Sequence, residues 1–497
     1  MEVKFNQSQV ACLKPIISQV HSQEQTQEVR LTDTYPDIGR ILGCWGQPLI
    51  RSKEWSGNSM SANGGIMAWV LYAPEDGSQP RVVDTWIPFQ CRWGFPEMAD
   101  NGVITVQPLI NNLDARNISA RKILLRADVG TMGQAMEAVK ESVYTPAQVP
   151  EDVQLLIRNY PVELPVESGE KQVEIEEQIP WEKAPIHQIV SYTFSPEIEE
   201  SKVLGNRLVF RGQGRLHLVY LTEDGGVHHS DFQIPFSQYK ELDGDYEPGV
   251  KAWILPVMTA MELEKNEDGS LQLHAGVAAQ YTLFDMKVLE LVEDAYSPQR
   301  PINIQSDELR LPIRLDSMEL QLNAEGNPNG DMAQVICIDA FEGNPGIHFA
   351  ENGGQVTMNG SYQVLYRDGE GQLMRDCVRF DSGMPIQSAD ENHIHFWLKS
   401  GSHPEYQPGK DGLKLHNRYQ ISAQVYSGQP ISMVTGLEMG EVTEPNPDRP
   451  AVILRRAGED GIWNLAKACG STVEAIKSAN HLTDEPASGT LLLIPVC

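Results

Sequence analysis

An internal repeat constrains this chain more than any other feature, because a duplicated unit must fold as a unit each time it occurs. An apolar run ending in tyrosine and then a Gly-containing turn appears three times. It reads GGIMAWVLYAPEDG around Tyr72, GQGRLHLVYLTEDGG around Tyr220 and NGSYQVLYRDGEG around Tyr366. The tyrosine spacings are 220 − 72 = 148 and 366 − 220 = 146. The same offset relates Ile38 and Ile41 to Ile186 and Ile189, and Gly64 to Gly212, while Ile189 maps by 146 onto Val335. Each tyrosine is followed by a second run, TWIPF ending at Phe89, FQIPF ending at Phe236 and CVRF ending at Phe380. A closing run completes each copy, at 120–129, 271–284 and 413–426.

These segments predict strands. They are short, rich in Val, Ile, Leu and Tyr, and alternate in places, as in Leu271-Gln-Leu273-His and Leu413-Lys-Leu415-His. The EDG, DGG and DGEG breaks read as hairpin turns, where glycine supplies positive φ cheaply. The expected fold is mainly β: tandem antiparallel sandwich-like units over 1–160, 161–300 and 301–441. Residues 131–143 admit a helical reading, but strand continuation is preferred. The acidic stretch 161–185 reads as an edge strand followed by a linker. VTEPNPDRP (442–450), with three prolines in nine residues, reads as a semi-rigid linker.

Composition narrows the function. With 39 basic and 68 acidic side chains the net charge is −29, which repels nucleic acid and anionic lipid. Basic runs do not exceed pairs such as Arg455-Arg456. No apolar stretch approaches the roughly 18–20 residues of a membrane helix. The N-terminus lacks a basic segment followed by an apolar run, so no export signal is expected. Seven scattered cysteines with no CxxC predict reduced thiols in a cytoplasmic setting.

The pattern changes over 451–497. AVILRR (451–456) predicts a strand, GIWNLAKACG (461–470) a helix ending at a glycine, and STVEAIKSAN (471–480) a second helix with Ser471 as N-cap and Glu474 completing a capping box. TLLLIPV (490–496) closes a β-α-α-β module. Trp463, Ile476 and Leu493 are its expected core.

The wording of this module resembles LysM: Asp460, Ile462 and Trp463 in EDGIWNLAK, Thr472, Val473 and Ile476 in the second helix, then Asn480, Leu482, Gly489 and LLLIP. Glu459 stands where that family usually has Gly, and Gly461 where it has Thr. The resemblance implies a binding groove walled by two loops, here Glu459, Asp460, Gly461 and Ile462, and then Asn480, His481 and Leu482. PDIGRILG with SARKILLRADV, and VLGNRLVFRGQGRLHLVYLTEDGG with FQIPFSQYKEL, resemble the SPOCS domain of sporulation proteins. Tandem SPOCS-like units with one C-terminal LysM module are similar to the coat-anchoring morphogenetic proteins of spore-forming Clostridia. That resemblance implies a mother-cell protein at the forespore surface. Its LysM module would bind a spore coat morphogenetic protein, the ATPase of the coat's basement layer.

Catalytic patterns are wanting. The sequence contains no P-loop, HExxH or GxSxG. His393-x-His395 offers two imidazoles on one strand face without an evident third ligand, and His228-His229 beside Asp231 follows a turn. Both read as ordinary polar strand residues, and GQG (212–214) as close packing or a bulge. The expectation is a non-enzymatic scaffold with no catalytic residues, metal or cofactor. The alternative is a protein binding peptidoglycan (N-acetylglucosamine glycan), and a third reading is a LysM-targeted hydrolase.

Overall fold

The computed structural model describes residues 2–496 except 4, 147, 330–331, 351–352, 387–392, 410–411, 444–449 and 460. Most of the expected linker and Asp460 therefore lie outside the described residues. The chain folds as antiparallel sheets followed by two short helices.

After β1 (Glu2–Val3), the first unit contains β2 (Phe5–Arg30), β3 (Ile38–Ser56), β4 (Ser59–Pro74), β5 (Arg81–Gly94), β6 (Val103–Ser119) and β7 (Lys122–Pro146). Two three-stranded sheets result, β3-β4-β5 and β2-β7-β6, and their facing residues form one core. The second unit repeats this with β8 (Gln154–Ile179), β9 (Ile186–Thr222), β10 (Val227–Tyr246), β11 (Lys251–Lys265) and β12 (Leu271–Tyr296). The third has β13 (Ile302–Leu309), β14 (Arg314–Gly326), β15 (Gln334–Glu342), β16 (Gly346–Ala350), β17 (Gly353–Arg367), β18 (Leu373–Ile386), β19 (His393–Gly401), β20 (Glu405–Gly409), β21 (Gly412–Tyr426) and β22 (Ile431–Met439). Residues 131–143 are strand, within β7, and the acidic 161–179 stretch is an outer strand paired with β12.

The repeat has a physical signature at its glycines. Gly64, Gly212 and Gly360, each 148 residues apart, lie directly opposite Phe89, Phe236 and Phe380. A Cβ at these positions would meet the carbonyl oxygen of the strand on the other side (Leu49, Glu197 or Phe341) at 2.0–2.2 Å and the phenylalanine ring at 2.4–3.0 Å. Glycine is therefore the space into which each ring packs. The contact between Gly212 and Glu197 also shows that β9 doubles back on itself. It turns at Gly205, whose φ of +59° corresponds to Gly57 at the β3–β4 turn.

Alternation along the tyrosine strands then joins the units. Tyr72, Tyr220 and Tyr366 each face the core of their own unit. The preceding residues, Leu71, Val219 and Leu365, point the other way and meet in one shared cluster with Leu42, Val190 and Cys337. The long strands are bent near Pro15 in β2 and Pro165 in β8, where register shifts occur, and interrupted at Pro312 between β13 and β14. Their outer ends pack as three ribbons whose cores take residues from all three units. The N-terminal β1 pairs with β22 of the last unit, which ties the two ends of this body together.

The C-terminal module comprises β23 (Val452–Arg456), α1 (Gly461–Cys469), α2 (Val473–Asn480) and β24 (Leu491–Pro495), with the two strands antiparallel. It docks on the end of β12. Tyr296 belongs to the module's core and donates to the Ser471 carbonyl at 2.9 Å. Trp463 is half-buried rather than interior. Its indole N–H donates to Asp294 at 2.8 Å, and Lys467 contacts the same carboxylate at 2.7 Å. Thr472, not Ser471, caps α2, accepting from Ala475 N–H; Ser471 is itself buried, so its hydroxyl is not at the helix end.

Two outcomes follow. Gly360→Ala forces the ring of Phe380 or the β15–β17 pairing apart and is expected to cost about 1–3 kcal/mol. Gly346→Ala, with open space at its Cβ, should leave thermal unfolding unchanged. At Asp294, burial pushes the carboxyl pKa up, but Lys467 and Trp463 outweigh it and hold the pKa below the ordinary value. Its stabilisation is thus present above the unfolded pKa of about 3.9 and is lost as pH falls through the lower docked value. Asp294→Ala should weaken docking by about 1–2 kcal/mol. Protection of the α1 amides against hydrogen exchange, relative to the intrinsic rate at each pH, should fall at pH 7 in the variant, and in the parent only on acidification.

Candidate functional site

The two loops that the sequence singles out come together at the start of α1 and the end of α2, but most of their side chains serve the module itself. Ile462 is 1% exposed and part of the core, and Leu482 packs against that core. Gly461 has φ of +77°, the left-handed region that favours glycine, which accounts for its presence at this position. His481 is exposed and ends α2 at φ +55°. Asn480 clamps helix to strand: its amide donates to the carbonyls of Ile476 (2.8 Å) and Leu493 (2.6 Å), and its oxygen accepts from Leu493 N–H at 2.8 Å. Glu459 is exposed.

Glu485, which no motif points to, completes the pair of loops. Its carboxylate accepts from the Ile462 N–H at 3.0 Å, so a side chain of the second loop satisfies an orphan donor at the start of α1. The groove between the loops is consequently crossed by an internal hydrogen bond.

Among the described residues an unpartnered surface lies elsewhere, on the outer face of the two-stranded β23–β24 sheet. Val452, Leu454, Leu491 and Leu493 are 52, 60, 57 and 45% exposed. Leu454 and Leu493 are direct cross-strand partners. Leu493, expected in the core, is thus on the outside, and its neighbours Leu492 and Ile494 face inward. The run LLLIP does not reveal its own register, because apolar residues occupy both faces. Arg456, paired with Leu491, stands on this face in an otherwise strongly acidic chain, and Arg455, also exposed, belongs to the other face of β23. An exposed contiguous apolar face with a basic neighbour is suited to a protein segment carrying apolar and acidic side chains.

The histidine pairs fall in different settings. His395 is buried, its Nδ1 is 2.6 Å from the Gln134 amide nitrogen, and burial pushes its pKa down to about 4. Gly212 and Gly214 of GQG are sites of close packing, the latter under the ring of Phe194. Asp231 lies opposite His217, a residue absent from the sequence reading. Burial pushes the His217 pKa down, but Asp339 and Asp231 outweigh it and raise it to about 10.

Comparison with known proteins bears on the second unit. Residues 185–264 match the protein family described as SipL, SPOCS domain. No curated protein matches the chain, and no solved structure does. The matched segment begins just before β9 and ends in β11, so it contains the doubled-back β9, its hairpin with β10 and the glycine–phenylalanine pair of Gly212 and Phe236. Among the described residues, no helix is long and apolar enough to cross a membrane. The chain contains a SPOCS domain, which ties it to sporulation.

Proposed function

We propose that the protein is a non-enzymatic adaptor of spore coat assembly. The three β units form a platform, and the C-terminal module, of LysM type, docks a coat morphogenetic protein, the ATPase of the basement layer, at the forespore surface in the mother cell. The observation that supports this most directly is the outer face of the two-stranded β23–β24 sheet, with four large apolar side chains in water beside Arg456. Burying such a leucine is worth about 1.5–3 kcal/mol, and a small cluster of such contacts dominates many protein interfaces. The glycan alternative relies on the loop groove, where the Ile462 N–H and the Asn480 amide are already engaged internally.

The test is the double variant Leu454→Thr, Leu493→Thr, which removes the apolar surface while keeping strand-compatible side chains. Both side chains are exposed, so thermal stability should stay within about 0.5 kcal/mol of the parent. Affinity for the purified morphogenetic ATPase is expected to fall at least tenfold. Saturable pelleting with purified peptidoglycan, competed by chitin oligomers and indifferent to these substitutions, would replace the adaptor by the glycan-binding reading.

A further inference from the structure

We propose that the junction of the three β units is a binding site for a divalent transition-metal ion of the zinc class, with His217, His229 and Asp231 as its ligands. Antiparallel pairing creates the set. Asp231 on β10 lies directly opposite His217 on β9, and His229, two residues before Asp231, shares its face of the strand. His217 Nδ1 is 2.9 Å from Asp231 Oδ1, and His229 Nδ1 is 3.7 Å from Asp231 Oδ2. One ligand atom from each residue falls within 4.8 Å of the other two. Bonds of about 2.0–2.1 Å in a tetrahedral zinc site put ligand atoms roughly 3.3 Å apart. Closure therefore asks for a movement of about 1.5 Å or less, and the His229 side chain, 37% exposed, is free to make it.

The surroundings are those of a supported ligand rather than of a surface histidine. His217 is 6% exposed. Its second nitrogen, Nε2, lies 3.2 Å from Asp339 Oδ1 without an aligned hydrogen bond, so that nitrogen is buried and aimed at a carboxylate. Asp339 is in turn fixed by the Trp45 indole, which donates to Oδ2 at 2.7 Å. With Nδ1 on a metal, Nε2–H would donate to Asp339, the arrangement that commonly orients metal-binding imidazoles. His403 borders the cluster, its ring 5.4 Å from that of His217 and stacked 6.1 Å from that of His229. His217 and His403 also line a cleft of about 220 Å³, and the His229 and Asp231 side chains, 37% and 34% exposed, open the ligand set to solvent.

The participants come from all three units: Trp45 from the first, the three ligands from the second, Asp339 and His403 from the third. An ion here would fasten the β9–β10 pair, with His217 backed by Asp339 of the third unit and Trp45 of the first. The position equivalent to His217 is Trp69 in the first unit and Gln363 in the third, so the second unit alone has this donor.

The experiment uses the untagged full-length chain, stripped with a chelator and titrated with Zn²⁺ by calorimetry and by thermal unfolding. One equivalent should bind and raise the melting temperature. His229→Ala and Asp231→Asn should each abolish both effects. Trp45→Phe, which frees Asp339 without touching a ligand, should weaken Zn²⁺ binding by about 10–100-fold. Absence of saturable binding, or binding that survives His229→Ala and Asp231→Asn unchanged, would overturn the proposal and leave the cluster as a buried ion pair only.

Discussion

The central strand of each unit must be covered on both faces, and the architecture follows from that requirement. In β4 almost every residue from Gly64 to Tyr72 is buried, and the same is true of Gly212 to Thr222 in β9 and of Gly360 to Tyr366 in β17. One sandwich covers only one face of such a strand. The other face, with Leu71, Val219 and Leu365, is covered by its two counterparts. Three copies thus do for one another what a helical layer does in doubly covered sheets. This explains why the tyrosine runs read as nearly continuous apolar segments rather than as clean alternation.

A body closed in this way must bury polar backbone at the seams, and glutamine side chains meet that demand. Gln363 accepts from the Cys44 N–H at 2.9 Å and donates to the Cys44 carbonyl at 2.8 Å. Gln280 does the same at Val106, and Gln107 at Leu398. Each primary amide stands in for a neighbouring strand where two units meet, leaving neither N–H nor C=O orphaned. Charge is placed at the same seams: Lys53–Glu170 between the first and second units, Glu163–Arg314 between the second and third, Asp114–Arg375 between the first and third. Of these only Glu163–Arg314 is largely buried; such a pair adds little net stability, but breaking it leaves an uncompensated charge, so it selects one register of assembly over others.

Much of this was legible in the sequence where it depended on local pattern. The period of the tyrosines, the phenylalanines that close each second strand, and the Gly64 to Gly212 equivalence all correspond to structural positions. Gly360 continues the 148-residue spacing of Gly64 and Gly212, and the bend-marking Pro15, Pro165 and Pro312 recur at the neighbouring spacings of 150 and 147, but they sit in segments whose other residues differ, so single-position matches do not stand out. Trp463 looked like core because an amphipathic helix shows which face is apolar without showing what lies against it; here it is the end of β12. Leu493 failed for a different reason, since an all-apolar strand has no internal register mark. His217 was invisible as a partner of Asp231 because the two are joined only by hairpin pairing, and Asp339 only by the packing of one unit on another.

The docking of the terminal module adds a directional element to the assembly. Asp294 and Tyr296 lie at the end of β12, beyond a register shift between Val292 and Asp294, in the part of the strand that packs with the other ribbons. The module is consequently seated on the ribbon end of the platform, and Trp463, Lys467 and Ser471 all contact these two residues. The helices face the platform, while the outer surface of the β23–β24 sheet remains in water. A tether alone would leave that surface free to turn. Indole, ammonium and tyrosine hydroxyl together fix the module's rotation, so the apolar face is presented in one direction, and a partner meeting it avoids part of the orientational cost of association.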